Sequence, residues 1–250
     1  MTIVLNELGP WLRRFDPRPD AALRLICVPH GGGGASAFLG WAELLPPGVE
    51  LIAVQYPGRE DRLGEPAPRD LDALVHALAD AVAPLTGVPY ALFGHSMGAT
   101  VAYELAHELA RRGLRGPVHL VASAREAPHD EKGGDVHRGD DAALHAELAR
   151  LGATDPEVLA DPELRAMIFA YVREDYRLIE TYRPRALPPL DCPVTVFVGE
   201  DDPDLTPGEA ARWSHATRRE TRLEVFPGDH FYLVPHRHAV LAELRRVLAS

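Results

Sequence analysis

The sequence has few cysteines, no long apolar run and no surplus of basic residues. Its two cysteines, Cys27 and Cys192, lie in or beside apolar strand-like runs, which favours buried thiols that pack as small hydrophobes. No segment approaches the roughly 18 consecutive apolar residues of a membrane span. Residues 1–10 have neither the cationic start nor the apolar core of a secretory signal. We therefore expect a soluble, cytoplasmic protein.

The charge balance is acidic, and this limits the classes of partner. Lys and Arg total 26 against 37 Asp and Glu, for a formal net charge of −11. Nucleic acids and anionic membranes require a basic face, so we exclude both as the main partner. The 250 residues, 46% of them hydrophobic, are enough for one large α/β domain or for one domain that carries an insertion.

Short apolar runs alternate with helical patterns along the chain. Such alternation, with strands that are almost continuously apolar, predicts a doubly wound and mostly parallel sheet covered on both faces. The predicted strands are residues 23–28, 51–56, 90–93, 118–123, 194–198 and 223–226. Apolar residues recur at helical spacing in two further runs: Leu71, Leu74, Leu78 and Val82, then Val101, Leu105 and Leu109.

The alternation stops between residues 126 and 185. A polar loop over 126–135 is followed by helical patterns at 142–151, 156–159 and 162–182, with no strand among them. A helical insertion between two strands of such a sheet is typical of a lid that closes over an active site. We therefore predict a core formed by residues 1–125 and 186–250, with a helical lid over 126–185.

The run Gly94-His95-Ser96-Met97-Gly98 follows a predicted strand and precedes a predicted helix. This G-x-S-x-G pattern, in the context of strand, sharp turn and helix, is typical of a turn that exposes a nucleophilic serine. A serine hydroxyl is a poor nucleophile at neutral pH, so it must be exposed, oriented towards the substrate and close to a base. We predict that Ser96 is the nucleophile and that the backbone N–H of Met97 is one donor to the oxyanion.

Position along the chain selects the base from among 12 histidines. His230 follows the last predicted strand, where the ligand sites of open α/β sheets form. His236 and His238 come later, at the start of the final helix, and are better interpreted as surface residues. His95 is adjacent to the nucleophile and is poorly placed to act as its base. We predict that His230 is the base.

The acid is expected at the end of the preceding strand, between Ser96 and His230 in chain order. Four carboxylates crowd there, and spacing alone does not choose among them: Glu200, Asp201, Asp202 and Asp204. We prefer Asp202, because Pro203 restricts it to an extended or turn conformation. Asp201 remains the alternative.

A glycine-rich loop at residues 29–36 follows the first predicted strand and is expected to supply the second oxyanion donor. Such a loop can also bind phosphate. However, the second strand ends in Gln55-Tyr56-Pro57-Gly58-Arg59 rather than in an acidic residue, and the chain has no Gly-Lys-Ser/Thr sequence. The oxyanion interpretation fits the serine turn, and the nucleotide interpretation does not.

Taken together, these motifs resemble the type II thioesterases, the discrete editing enzymes of polyketide and nonribosomal peptide assembly lines, which have the α/β-hydrolase fold. The resemblance runs nearly end to end, through residues 11–15, 29–33, 55–62, 94–99, 199–203 and 228–231. Gly31 replaces the usual alanine of the family's Pro-His-Ala-Gly-Gly loop, and the family's Asp-Pro pairing favours Asp202 over Asp201. The resemblance implies that Gly31 supplies the second oxyanion amide.

The resemblance also implies a substrate and a partner. The substrate is an acyl or aminoacyl thioester on the phosphopantetheine arm of an acyl or peptidyl carrier protein, and the protein itself needs no cofactor or metal. Carrier proteins are acidic, so docking to this acidic chain requires a local basic patch. Arg111, Arg112 and Arg115 form one candidate group, and Arg59 with Arg62 forms another; none is assigned as a docking site.

Three alternatives to an editing thioesterase stay open. The first is a carboxylesterase of small esters on the same fold, and the second is a non-catalytic binding protein. The third is a macrocyclising thioesterase, which is usually fused to the end of a synthase, whereas we expect this chain to be free-standing and monomeric.

Overall fold

A seven-stranded sheet organises the part of the chain that the computed structural model describes, residues 8–130, 132–152 and 160–249. The strands are β1 (Leu12–Arg13), β2 (Leu23–Val28), β3 (Val49–Val54), β4 (Tyr90–His95), β5 (His119–Ser123), β6 (Val194–Gly199) and β7 (Thr221–Phe226). The helices are α1 (Leu71–Val82), α2 (Met97–Arg111), α3 (Asp141–Leu151), α4 (Pro162–Thr181), α5 (Pro207–Ala210) and α6 (Arg237–Leu248).

The strand order is β1-β3-β2-β4-β5-β6-β7, and every neighbouring pair except β1–β3 is parallel. This confirms the predicted doubly wound, mostly parallel sheet. Some details of the prediction were wrong. The second predicted strand spans Val49–Val54 rather than residues 51–56, and the last begins at Thr221 rather than at residue 223. The antiparallel edge strand β1 was missed because it has only two residues.

Side chains of the central strands point alternately into two cores, one on each face of the sheet. In β2, Ile26 and Val28 join the core beneath α1 and α2, whereas Leu25 and Cys27 join the core beneath α6. Both faces are therefore covered, which explains why these strands are apolar at nearly every position. Cys27 and Cys192 are free and buried, as their apolar surroundings predicted.

Local capping signals set where the helices begin. The carboxylates of Asp70, Asp140 and Asp161 each accept a backbone hydrogen bond from the first turn of α1, α3 and α4. Pro162 occupies the first position of α4, where a backbone N–H would make no intrahelical hydrogen bond, so proline is tolerated there. None of the helices in the described ranges is long and apolar enough to cross a membrane.

The stretch 126–185 contains α3 and α4 and no strand in its described part. The end of α4 belongs to the main core through Leu178 and Ile179. The start of α4 instead packs with α3 in a separate small cluster, formed by Leu144, Leu148, Phe169 and Val172 and called here the lid cluster. The helical pattern predicted at 156–159, residue 131 of the polar loop and the first seven residues lie outside the described ranges.

Phe169→Ala should loosen the lid cluster without unfolding the sheet. Phe169 is buried in that cluster, and truncating a buried phenylalanine costs about 3–5 kcal/mol. We expect faster hydrogen exchange and proteolysis in α3 and the first half of α4, while the main thermal transition moves little.

Leu92→Ala in β4 is the matched control, because Leu92 is fully buried in the main core. It should lower the main transition directly. An equal fall in that transition for Phe169→Ala would show that α3 and α4 do not form a separately stable unit.

Candidate active site

Ser96 lies on a strained turn between β4 and α2. Its φ of 54° and ψ of −123° are rare for a residue with a side chain, and such strain persists only where the surroundings enforce it. A methyl group at Gly94 would come within 2.1 Å of the carbonyl oxygen of Gly98. A methyl group at Gly98 would come within 2.2 Å of the carbonyl oxygen of Val28. Both glycines of the motif are therefore required by close backbone packing.

Asp202 and His230 lie side by side at the carboxyl ends of β6 and β7. The Nδ1 of His230 is 2.9 Å from Oδ2 and 3.1 Å from Oδ1 of Asp202, and both side chains are buried. The backbone N–H of Asp204 also donates to Asp202 Oδ1, at 2.9 Å. With Nδ1 bound to the carboxylate, Nε2 is the ring nitrogen of His230 that can serve Ser96.

The other carboxylates and histidines considered in the sequence occupy different surroundings. Glu200, Asp201 and Asp204 are exposed, as expected for a solvated acidic turn. His236 and His238 lie at the start of α6, and His238 is exposed. The geometry thus favours Asp202 over Asp201 as the partner of His230.

Gly31 and Met97 face each other across the mouth of the turn. A methyl group at Gly31 would lie 4.0 Å from Cβ of Met97, an ordinary contact, so the alanine usual in the resembling family would also fit there. The N–H of Gly32 donates to Asp175 and that of Gly33 to the carbonyl of His30. The N–H of Met97 opens α2, where the helix offers it no acceptor.

Three side chains that the motif analysis did not assign hold the glycine-rich loop in place. The amide oxygen of Gln55 accepts the N–H of Ala35 at 2.9 Å, and Glu60 accepts both the N–H and the hydroxyl of Ser36. Asp175, from α4, accepts the N–H of Gly32 at 2.7 Å. Gln55 and Glu60 flank the Pro-Gly-Arg run that the resemblance had singled out, whereas nothing local in the sequence marks Asp175.

Two further histidines form an aromatic wall around His230. The ring of His95 lies 5.4 Å from that of His230, and the ring of His30 lies 4.9 Å from that of Phe231. Burial, with smaller contributions from His230 and Arg59, lowers the pKa of His30 to about 4. Burial likewise holds the pKa of His95 well below its ordinary value. Both rings are therefore neutral at pH 7.

A cavity of about 70 Å³ joins these groups. Its walls come from the serine turn, the glycine-rich loop, the His230 loop, the acid turn, α3 and α4. The lining residues include Ser96, Met97, Gly31, His30, His230, Phe231, Leu148, Leu151, Asp175, Tyr176, Ile179 and Asp204. A larger cavity of about 390 Å³ lies at the opposite edge of the sheet, beside the first residues of β5, β6 and β7. Of these two cavities, the smaller lies at the carboxyl ends of the strands, where ligands bind in sheets of this type.

The candidate docking arginines are largely occupied within the chain. Arg59 and Arg62 are buried, so neither presents its charge to a partner. Arg111 and Arg112 both pair with Glu108 at the end of α2. Of the residues proposed for a basic patch, only Arg115 is both exposed and outside these pairs. Within the described ranges, no group of three or more His, Cys, Asp or Glu residues could hold a metal ion.

Comparisons with known proteins identify the family of this chain. A family model described as "Thioesterase domain" matches residues 23–248. The chain is 43% identical over 251 residues to the "Probable cadicidin biosynthesis thioesterase" of Streptomyces griseus, covering 99% of this chain and 68% of that protein. It is 40% identical over 239 residues to "Thioesterase PikA5" of Streptomyces venezuelae, covering 95% and 85%.

Solved structures of thioesterases are also similar to this chain. The type II thioesterase BorB from the borrelidin biosynthetic cluster superposes with a TM-score of 0.86 at 43% identity, covering 94% of this chain and 96% of that one. The thioesterase RedJ from the prodiginine pathway of Streptomyces coelicolor superposes with a TM-score of 0.87 at 40% identity, covering 92% and 87%.

Asp202→Asn should lower kcat on the order of 10,000-fold, because the amide orients His230 in the wrong tautomer, as in serine proteases. Asp201→Asn is the matched control and should stay within a few-fold of wild type, because Asp201 is exposed. Steady-state thioester hydrolysis measures both. A larger loss for Asp201→Asn than for Asp202→Asn would reverse the assignment of the acid.

The buried neutral histidines should make the fold acid-sensitive. The pKa of His30 is about 4 in the folded protein and about 6.5 when unfolded, so the unfolded chain binds more protons between these values. The free energy of unfolding should therefore fall as pH drops from 6.5 to 4, on the order of 3 kcal/mol for His30 alone.

Denaturant unfolding at several pH values measures this slope. His30→Phe keeps a ring at the site but removes the titrating group, so its free energy of unfolding should decline less steeply. His238→Phe, at an exposed position, should reproduce the wild-type slope. Parallel curves for His30→Phe and wild type would show that His30 does not bear the acid sensitivity.

Proposed function

The chain belongs to the thioesterase family, and from this premise we propose that it removes stalled or aberrant acyl groups from the carrier proteins of a polyketide or nonribosomal peptide synthase. It is a thioester hydrolase. The observation that carries the proposed mechanism is the buried Asp202–His230 pair, whose histidine lines one cavity together with the strained Ser96.

The first half-reaction transfers the acyl group to the enzyme. Ser96 Oγ attacks the thioester carbonyl carbon while His230 Nε2 takes the hydroxyl proton. The tetrahedral intermediate then collapses, the carbon–sulfur bond breaks, and His230 returns the proton to the leaving thiol. Asp202 keeps the imidazole in the required tautomer and stabilises its cationic form.

The second half-reaction releases the acid. Water enters as the thiol departs, and His230 deprotonates it as it attacks the acyl ester on Ser96. Collapse of the second intermediate returns the proton to Ser96 Oγ and frees a carboxylic acid. In both intermediates the negative oxygen is bound by the N–H groups of Met97 and Gly31, which are fixed before the reaction begins.

The size of the cavity indicates how the substrate is presented. Pockets that enclose a drug-sized ligand measure roughly 300–1,000 Å³, and this cavity measures about 70 Å³. It therefore encloses only the reacting end of a larger substrate. An acyl group delivered on a long, thin phosphopantetheine arm, with the carrier protein remaining outside, fits this arrangement.

Ser96→Ala should abolish turnover of propionyl-pantetheine and propionyl-carrier protein, a loss of more than about 1,000-fold, because the acyl-enzyme cannot form. A fluorophosphonate probe should label wild type but not Ser96→Ala. Ser214→Ala, at an exposed serine, should be labelled normally. Full turnover by Ser96→Ala would refute the serine mechanism.

The same assay distinguishes the substrate class. We expect a higher kcat/KM for the pantetheine thioester than for ethyl propionate, and a further gain when the acyl group is on a carrier protein. A preference for the simple ester would identify a carboxylesterase. Binding of acyl-pantetheine without turnover would identify a non-catalytic binding protein.

A further inference from the structure

We propose that Asp175 is a positioning residue for the glycine-rich loop at residues 29–36, called here the oxyanion loop, and that Arg59 is the counter-charge that allows a carboxylate to lie there. The proposal rests on the proposed function, since it concerns how the amide of Gly31 is aimed. It assigns to α4, a helix of the predicted lid, a part in transition-state stabilisation.

The carboxylate of Asp175 joins three separate segments. Oδ2 accepts the N–H of Gly32 at 2.7 Å, and Arg59 donates to both carboxylate oxygens, with Nη2 2.8 Å from Oδ1. Asp175 is 1% exposed and Arg59 is 4% exposed. Hydrogen bonds to a buried ionised partner are among the strongest in proteins, so this junction fixes the distances among all three segments.

Arg59 is held as firmly as its partner. Its guanidinium also donates to the carbonyls of Gly33 and Pro57, and it lies 5.2 Å from the ring centre of Tyr56 and 5.1 Å from that of Tyr171. Although burial opposes the charged form, the adjacent carboxylate raises the pKa of Arg59 above its ordinary value. The guanidinium of Arg59 is therefore charged.

The contact at Gly32 controls the amide that precedes it. Gly32 has a φ of 83°, and the loop contains four consecutive glycines, which have little intrinsic preference among backbone conformations. An acceptor on the N–H of Gly32 fixes the peptide plane between Gly31 and Gly32, and this in turn restricts the rotation of the N–H of Gly31. Without this hydrogen bond, the run of four glycines does not by itself favour the backbone conformation that points the N–H of Gly31 at the oxyanion.

The charge of Asp175 also explains why Arg59 is required. Asp175 lines the same cavity as Ser96, so an unbalanced carboxylate would repel the negative oxygen of the tetrahedral intermediate. Arg59 cancels that field while leaving the hydrogen bond to Gly32 intact. Removing one partner alone would leave a buried, unpaired charge, whereas replacing both would not.

The experiment compares Asp175→Asn, Arg59→Gln, the double variant Arg59→Gln/Asp175→Asn and the control Arg177→Gln. Arg177 lies on the same helix and ties it to the carbonyls of Pro68 and Arg69, away from the oxyanion loop. Four quantities are measured on propionyl-pantetheine or its analogues: kcat, KM, the affinity for a pantetheine trifluoromethyl ketone, and the affinity for an unreactive pantetheine thioether. The ketone forms an anionic adduct with Ser96 and so reports on the oxyanion site.

Asp175→Asn should lower kcat on the order of 100-fold, as loss of one oxyanion donor does, with KM changed less than about threefold. The trifluoromethyl ketone should bind more weakly by a similar factor, and the thioether should bind as in wild type. Arg177→Gln should stay within about twofold of wild type in every measurement. The double variant should have a kcat at least tenfold above that of Arg59→Gln but below that of wild type.

Two results would overturn the proposal. One is an equal loss of activity in Asp175→Asn and Arg177→Gln, or an equal loss of affinity for ketone and thioether in Asp175→Asn. Either would indicate that Asp175 only attaches α4 to the core. The other is a double variant with the kcat and the ketone affinity of wild type. Because this result needs only the double variant, the test stays decisive even if a single variant does not fold. Ser96→Ala in the same series separates the two proposals. Turnover by Ser96→Ala would refute the proposed function. If Ser96→Ala is inactive and Asp175→Asn has the kcat of wild type, only the role of Asp175 is refuted.

Discussion

The close approach of α2 to the ends of β4 and β2 is the constraint on which the rest of the site depends. Neither Gly94 nor Gly98 has room for a methyl group, because each faces a backbone carbonyl at little more than 2 Å from where that group would lie. The unusual backbone at Ser96 costs on the order of 1–3 kcal/mol and is enforced by this packing. The same contact brings the first residue of α2 beside Gly31, so the predicted nucleophile lies close to both predicted oxyanion donors.

Much of the fold and of the candidate site could be predicted because the signals were local. Each parallel strand was a short apolar run, and parallel strands bring their carboxyl ends to one edge. The serine turn follows β4, the acid turn follows β6 and the His230 loop follows β7. Chain order and strand ends were therefore enough to bring Ser96, His230 and the acid turn together as a hypothesis. Within that turn, Pro203 and the family resemblance selected Asp202, and its contact with His230 agrees with that choice.

The remaining features were not predictable, for physical reasons. The edge strand β1 pairs two residues with β3 and has no periodicity to detect. Asp175 meets Arg59 across 116 residues of sequence, and a carboxylate on a helix is usually a solvated surface group. Gly31 was singled out only through the family resemblance, since spacing within a run of four glycines does not distinguish one amide from the next.

The helices α3 and α4 are attached to the core with unequal strength, and the difference follows from burial. On the α4 side the Arg59–Asp175 pair is almost fully buried, and Leu178 and Ile179 extend the main core. On the α3 side, Arg150 pairs with Asp204, and both side chains are 41% exposed. Exposed pairs contribute about 0–1 kcal/mol, whereas removing one partner of a buried pair costs about 3–5 kcal/mol. The α4 side is thus joined to the core by buried contacts, whereas α3 contacts the acid turn through an exposed pair and packs on α4 in the lid cluster.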